Sequence, residues 1–80
     1  MEELLKAYYA CLELAKENAF KCVIWVETNK VGNSNFFEVM VNPANVNVSI
    51  KNVVFFYDFQ PNEFESNIEK VKQLIQEASC

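Results

Sequence analysis

The chain has 80 residues, of which 51% are hydrophobic and 14% aromatic, and it carries a net charge of -4. This composition is too apolar for a disordered chain, and the length suits one small domain spanning residues 1–80. The mild acidity opposes nonspecific binding to nucleic acid and to anionic membranes, and no apolar run approaches the roughly 18 residues of a membrane span. The acidic Glu2 and Glu3 differ from the basic start of a secretory signal, so we expect a cytoplasmic protein.

The chain lacks histidine and arginine, and Gly32 is its one glycine. Histidine is the usual acid–base catalyst near neutral pH, and arginine is the usual bidentate ligand of phosphate. A phosphate-binding loop needs several glycines. The sequence therefore predicts a protein that is not an enzyme and holds no cofactor.

The three cysteines, Cys11, Cys22 and Cys80, are odd in number and widely spaced. Such spacing fits neither a disulfide framework nor a zinc site, which without histidine needs four thiolates. We expect small buried thiols, with a terminal Cys80 that is exposed and free to cross-link.

The first half of the chain predicts a helix over residues 2–19 and a strand over 20–28. A polar loop over 29–35 follows, in which Gly32 is expected to take a positive φ angle, and a second strand over 36–41 completes a hairpin. Apolar residues recur at helical spacing along the first helix: Leu5, Tyr8, Leu12, Ala15 and Ala19, with Leu4 and Cys11 beside them.

Residues 53–59 are strongly strand-like, and residues 46–51 alternate apolar and polar side chains without error. Two interpretations of this region stay open. Either 46–51 forms a further strand joined by a tight turn at Lys51 and Asn52, or residues 43–52 are an irregular loop.

Pro61 and Asn62 end the last strand and introduce a second helix. A capping box is predicted at Asn62 with Glu65 or one turn later at Ser66 with Glu69. The predicted apolar stripe of this helix is Phe64, Ile68, Val71, Ile75 and Ala78, with Leu74 beside it. Lys72 is placed to pair with Glu69 across one turn.

Together these elements predict an α+β fold with an N-terminal helix, an antiparallel sheet of three or four strands and a C-terminal helix. Strand alternation makes both faces of the sheet apolar. Either the helices cover opposite faces, or both cover one face and leave the other to a partner, for which a second copy of the chain in a homodimer is the commonest choice. We favour the second arrangement, and the predicted partner-binding face is Trp25, Phe36, Met40 and Phe56.

Acidic residues gather around the start of the second helix, namely Asp58, Glu63, Glu65 and Glu69. They are interpreted either as an acidic edge that meets a basic partner or as a solvated helix start favoured by the helix dipole. The lysines are scattered among acids, so no surface for direct binding of nucleic acid is predicted.

The leading hypothesis is a non-enzymatic protein-binding module whose partner is another protein. The alternatives are a small-molecule or nucleotide sponge acting as a homodimer, and a structural subunit of a larger assembly. In size, acidity and asparagine content the chain is similar to small phage-encoded inhibitors of host defence enzymes, including anti-CRISPR proteins. That resemblance implies a compact inhibitor that acts by contact with a host enzyme.

Overall fold

The computed structural model describes residues 2–44 and 52–79 and shows the α+β fold that the sequence predicts. In chain order its elements are α1 (Glu2–Glu17), β1 (Cys22–Val31), β2 (Ser34–Pro43), β3 (Val53–Tyr57), a 3₁₀ turn (Pro61–Glu63) and α2 (Phe64–Ala78). The three strands form one antiparallel sheet in the order β1-β2-β3. Both helices pack against one face of this sheet.

Asn18 ends α1 and connects it to β1. Its side-chain amide donates to the Leu14 carbonyl at 2.8 Å, and the Asn18 carbonyl accepts from the backbone amides of Lys21 and Cys22. Because these bonds satisfy carbonyl and amide groups at the end of the helix, β1 begins at Cys22 rather than at the predicted residue 20.

The hairpin between β1 and β2 is longer and tighter than the sequence predicts. Pairing continues from Cys22 opposite Pro43 to Val31 opposite Ser34, so Gly32 and Asn33 alone form the turn. Gly32 has a φ of 59°, and among the described residues no other residue has a positive φ. A positive φ at only the first central position is typical of a type II′ turn. The predicted seven-residue loop was therefore wrong.

The third strand pairs directly with the second, with Met40 opposite Val53 and Phe36 opposite Tyr57. The backbone amide of Val41 also donates to the Asn52 carbonyl at 2.9 Å, just before the strand begins. The predicted additional strand over 46–51 lies outside the described residues. Within them, the sheet has three strands.

The second helix begins without either predicted capping box. Pro61 opens a 3₁₀ turn, which fits a residue with no backbone N–H, and α2 then begins at Phe64. Glu63 is the N-cap residue and makes no side-chain capping bond, while the Ser66 hydroxyl donates to the Glu63 carbonyl at 3.0 Å. The predicted pair forms, with Lys72 Nζ lying 3.6 Å from Glu69 Oε1.

The hydrophobic core lies between the two helices and the sheet. Its buried residues are Leu4, Ala7 and Cys11 of α1, Cys22, Phe37, Val39, Val41, Val54 and Phe56 of the sheet, and Phe64, Val71 and Ile75 of α2. The predicted stripe of α2 is confirmed. The predicted stripe of α1 was partly wrong, because Leu5 and Leu12 are 44% and 37% exposed while Ala7 is buried.

Candidate protein-binding face

One face of the sheet is covered by neither helix in the described part of the chain, and we call it the open face. Strand register places Trp25 opposite Met40 and Met40 opposite Val53 in one row across it. A second row holds Phe36 opposite Tyr57. The structure therefore brings together Trp25, Phe36 and Met40, the three residues that alternation assigned to one face. Trp25 is the most exposed of them, at 53%.

Phe56 does not lie on this face, and its predicted placement was wrong. It pairs with Phe37, its ring stacks on the Phe37 ring at a centroid distance of 4.4 Å, and its side chain is fully buried. The rings of Phe56 and Phe64 also lie 5.8 Å apart, so α2 packs over this position. The pairing of β3 with β2 turns Phe56 towards the helices and Phe55 towards the open face.

Four aromatic rings form a connected ladder on the open face, and we call Phe36, Phe55, Tyr57 and Phe59 the aromatic ladder. Successive centroids are 6.3 Å apart for Phe36 and Phe55, 6.0 Å for Phe55 and Tyr57, and 5.3 Å for Tyr57 and Phe59. These are distances at which rings attract one another. Because the rings brace each other, the ladder presents a rigid apolar surface.

Two carboxylates interrupt the apolar surface between Trp25 and the aromatic ladder. Glu27 lies directly opposite Glu38, and Glu38 lies opposite Phe55. Like charges in facing positions of a sheet are destabilising, so this pair is unfavourable in the isolated chain. A basic side chain placed between them would remove the repulsion.

The four residues of the predicted acidic edge occupy different environments. Asp58 is tied into the fold, because its Oδ2 accepts from the Asn35 backbone amide at 2.8 Å while its own amide donates to the Asn35 carbonyl. Glu63 and Glu65 are exposed at the start of α2, and Glu69 pairs with Lys72. The structure thus assigns Asp58 a structural role in joining the ends of β2 and β3.

Two depressions in the described surface bear on whether a small molecule could bind. A mostly apolar cavity of about 170 Å³ lies between α1 and the hairpin, lined by Leu4, Leu5, Tyr8, Thr28, Asn29, Asn35, Phe36 and Phe37. Sites for small molecules and cofactors usually occupy about 300–1,000 Å³. An open groove of about 370 Å³ runs between α1 and α2, and both Lys6 and Glu65 line it.

Both described cysteines are buried and free, as the sequence predicts, and Cys80 lies outside the described residues. Burial raises the pKa of the Cys11 thiol to about 12, because the low-dielectric core disfavours the thiolate. The thiolate is the reactive form of cysteine, so Cys11 is unsuited to act as a nucleophile near neutral pH.

Residues 2–44 and 52–79 contain no group of three or more cysteine or carboxylate side chains placed to hold a metal ion. Within the same residues, neither helix has the length and apolarity needed to cross a membrane.

The open face contains three aromatic residues that the sequence did not assign to the partner, namely Phe55, Tyr57 and Phe59. Strand alternation showed that Phe55 and Phe56 point in opposite directions. It could not show which of them faces the helices, because that depends on the register between β2 and β3.

Comparisons with models of protein families, with curated proteins and with solved structures found no match to this chain. The open face and its chemistry are therefore the basis for the functional proposal.

Proposed function

We propose that this chain is a non-enzymatic, cytoplasmic protein-binding module that docks another protein on its open face. The observation that carries the proposal is the aromatic ladder beside a half-exposed Trp25 on a face bare of helices in the described residues. Tryptophan, tyrosine, phenylalanine and methionine are enriched in the buried centres of protein interfaces. All four residue types occur on this face.

The energetics of such a face favour a protein partner over solvent. Trp25, Phe55 and Phe59 are 53%, 38% and 62% exposed, so each retains apolar surface that a partner can remove from water. Because the rings of Phe55 and Phe59 each pack against a neighbouring ring, little of their side-chain entropy remains to be lost on binding. A few aromatic anchors of this kind dominate the binding energy of typical interfaces.

The charges on the face specify the partner further. Glu27 and Glu38 face one another among the apolar side chains, and the chain as a whole carries a net charge of -4. A lysine or arginine of the partner that inserts between the two carboxylates pairs with both and removes their repulsion. Electrostatic steering also favours approach to basic surfaces.

Basic surfaces are characteristic of enzymes that bind nucleic acid. An inhibitor of such a host enzyme, of the anti-CRISPR kind, is therefore the form of binding module that we favour. Binding of this type needs no catalytic group, in keeping with the absence of histidine and arginine from the sequence.

The test is capture of a host protein by immobilised chain, followed by affinity measurements with the purified partner. We expect Trp25→Ala and Phe55→Ser each to weaken binding by about 30-fold or more, as loss of a central aromatic anchor does. Glu38→Lys should also weaken binding, and this effect should shrink at high salt because the lost interaction is electrostatic.

Phe20→Ala is the matched control, because Phe20 is fully exposed in the turn before β1 and lies off the open face. It should bind as the parent chain does. Thermal unfolding of every variant separates loss of binding from loss of fold. Equal affinities for Trp25→Ala, Phe55→Ser and Phe20→Ala would contradict the proposal.

A further inference from the structure

The two edges of the sheet are protected to very different degrees. On β3 the strand is five residues long, and the Asn67 side-chain amide donates to the Phe55 carbonyl at 3.2 Å. On β1 the strand runs for ten residues, with no bulge in its register and no proline. In the described part of the chain nothing pairs with its outer edge. A long, unbulged edge of this kind is a template for pairing with another strand.

Exposed apolar side chains of α1 lie above this same edge. Leu5, Tyr9 and Leu12 are 44%, 62% and 37% exposed, and their spacing of four and three residues places them in one stripe. The opposite side of α1 faces α2, since Lys6 and Ala7 line the groove shared with Phe64. The stripe therefore points away from α2.

Contacts with β1 fix the direction in which the stripe points. Leu5 and Tyr8 line one cavity with Thr28 and Asn29 of β1, the outermost strand. The side of α1 away from α2 thus overhangs the β1 edge. We call Leu5, Tyr9 and Leu12 the overhanging stripe.

We propose that β1 pairs antiparallel with β1 of a second copy of this chain, forming a six-stranded sheet across a two-fold axis. Antiparallel pairing of identical edges requires an axis perpendicular to the sheet, so all four helices lie on the same face. The overhanging stripes of the two α1 helices then pack against each other. This dimer leaves both open faces free, so it is independent of the proposed function.

The spacing of the elements fits this arrangement. Paired strands lie about 4.8 Å apart, and α1 contacts both β1 and β2, which puts its axis over the seam between these two strands. Pairing of the two β1 strands therefore sets the α1 axes roughly two strand spacings apart. That is about 10 Å, a distance at which helices pack side by side.

The charged residues at the two ends of the overhanging stripe are also self-complementary. Glu2 precedes Tyr9 by seven residues and Lys16 follows it by seven, which is close to two helical turns in each direction. In an antiparallel pair of α1 helices centred on Tyr9, each Glu2 lies beside Lys16 of the other copy. Leu5 and Leu12 face each other between these pairs. The second copy therefore matches the stripe in both apolar and charged positions.

The size of the contact suits a stable dimer. A strand of ten residues extends roughly 33 Å, and a helix of sixteen residues extends roughly 24 Å along the same edge. A contact of this length with aromatic and leucine side chains can reach the ~800 Å² per partner of a standard interface.

The test is sedimentation equilibrium of the reduced chain, with the Tyr9→Glu variant and a matched control. We expect the parent chain to be dimeric, and Tyr9→Glu to raise the dimer dissociation constant by about 100-fold or more. The reason is that two carboxylates would meet at the axis. Phe59→Glu is the control, because Phe59 is equally exposed at 62% but follows β3 on the other edge. It should dimerise as the parent does.

Charge reversal tests the orientation of the helices. Glu2→Lys should weaken the dimer by on the order of tenfold, and the double variant Glu2→Lys with Lys16→Glu should restore it. Tyr9→Cys in a Cys80→Ser background should form an intermolecular disulfide on oxidation, because residue 9 meets its own copy at the axis. Phe20→Cys in the same background should cross-link far more slowly.

A parent chain that stays monomeric at about 100 μM overturns the proposal. So does a dimer that Phe59→Glu breaks and Tyr9→Glu does not, since the contact would then lie on the open face. These outcomes concern the β1 edge alone, and capture of a host protein by the open face succeeds or fails separately.

Discussion

Two phenylalanine pairs in neighbouring strands show how differently the two faces of the sheet are used. Phe37 and Phe56 stack at 4.4 Å beneath the helices and are essentially inaccessible. One residue away along each strand, Phe36 and Phe55 lie 6.3 Å apart on the open face, where Phe55 is 38% exposed. The residue types are the same on both faces. Helix cover makes one pair part of the core and leaves the other pair partly exposed.

The largest expected effect is a difference in stability between a substitution on the helix-covered face and one on the open face. Phe56→Ala should lower the free energy of unfolding by about 3–5 kcal/mol, because it removes a fully buried ring and leaves a cavity. Phe55→Ala should cost less than about 1.5 kcal/mol, since it removes a half-exposed ring and its neighbouring contacts. Chemical denaturation of both variants measures the difference. Equal losses would mean that both faces act as core.

The next expected effect is a dependence of the free energy of unfolding on pH. It arises from a residue on the helix-covered face. The pKa of Cys11 is about 12 in the folded chain and near 9.0 in the unfolded chain. The unfolded chain therefore loses this proton first as the pH rises. Stability should be unaffected by this group below pH 9 and should fall between pH 9 and 12, by at most about 1.4 kcal/mol per pH unit.

Urea denaturation of reduced chain between pH 8 and 11 measures this slope. Cys11→Ala should remove the part of the stability loss at alkaline pH that the thiol causes. It should also lower stability at neutral pH, because a buried side chain is truncated. The same alkaline slope in the parent chain and in Cys11→Ala would show that the thiol is not responsible.

The smallest expected effect is a gain in stability rather than a loss, and it comes from a substitution on the open face. Glu38→Gln should raise the free energy of unfolding by about 0.2–0.5 kcal/mol at low salt, because it removes the repulsion with Glu27 in the facing position. The gain should disappear at high salt. Glu13→Gln on the exposed surface of α1 is the control and should change little. Destabilisation by Glu38→Gln at low salt would show that repulsion is not the dominant interaction there.

Local pattern was sufficient to predict most of the fold and part of the open face. Alternation along β1 and β2 placed Trp25, Phe36 and Met40 on one face, because their directions follow from the backbone alone. The stripe of α2 likewise followed from helical spacing. The placement of both helices on one face of the sheet was also confirmed.

Other features depended on contacts between elements and could not be read from local pattern. Phe56 was assigned to the wrong face because the register of β3 is set across a long connection from β2. Leu5 and Leu12 were assigned to the core because α1 is apolar over more than half its circumference. The side that meets the sheet depends on how the helix lies on β1.

The loop predicted over residues 29–35 was wrong for a different reason. Polar residues such as Asn29, Lys30 and Asn35 are typical of a loop, yet all three lie in strands. On the β1 side of this part of the hairpin, apolar burial contributes little, since Glu27 to Val31 are exposed. Backbone hydrogen bonds continue the ladder there, and the two-residue turn sets its register.

That turn also bears on the order in which the chain folds. Gly32 joins β1 and β2 with only two residues between them, so their first contacts close a very short loop. The pairing of β2 with β3 must bring together residues separated by a longer connection, and the helix contacts span most of the chain. Short loops close fastest and at the lowest entropic cost. The β1–β2 hairpin is thus the part of the sheet that can form before the rest of the domain condenses onto it.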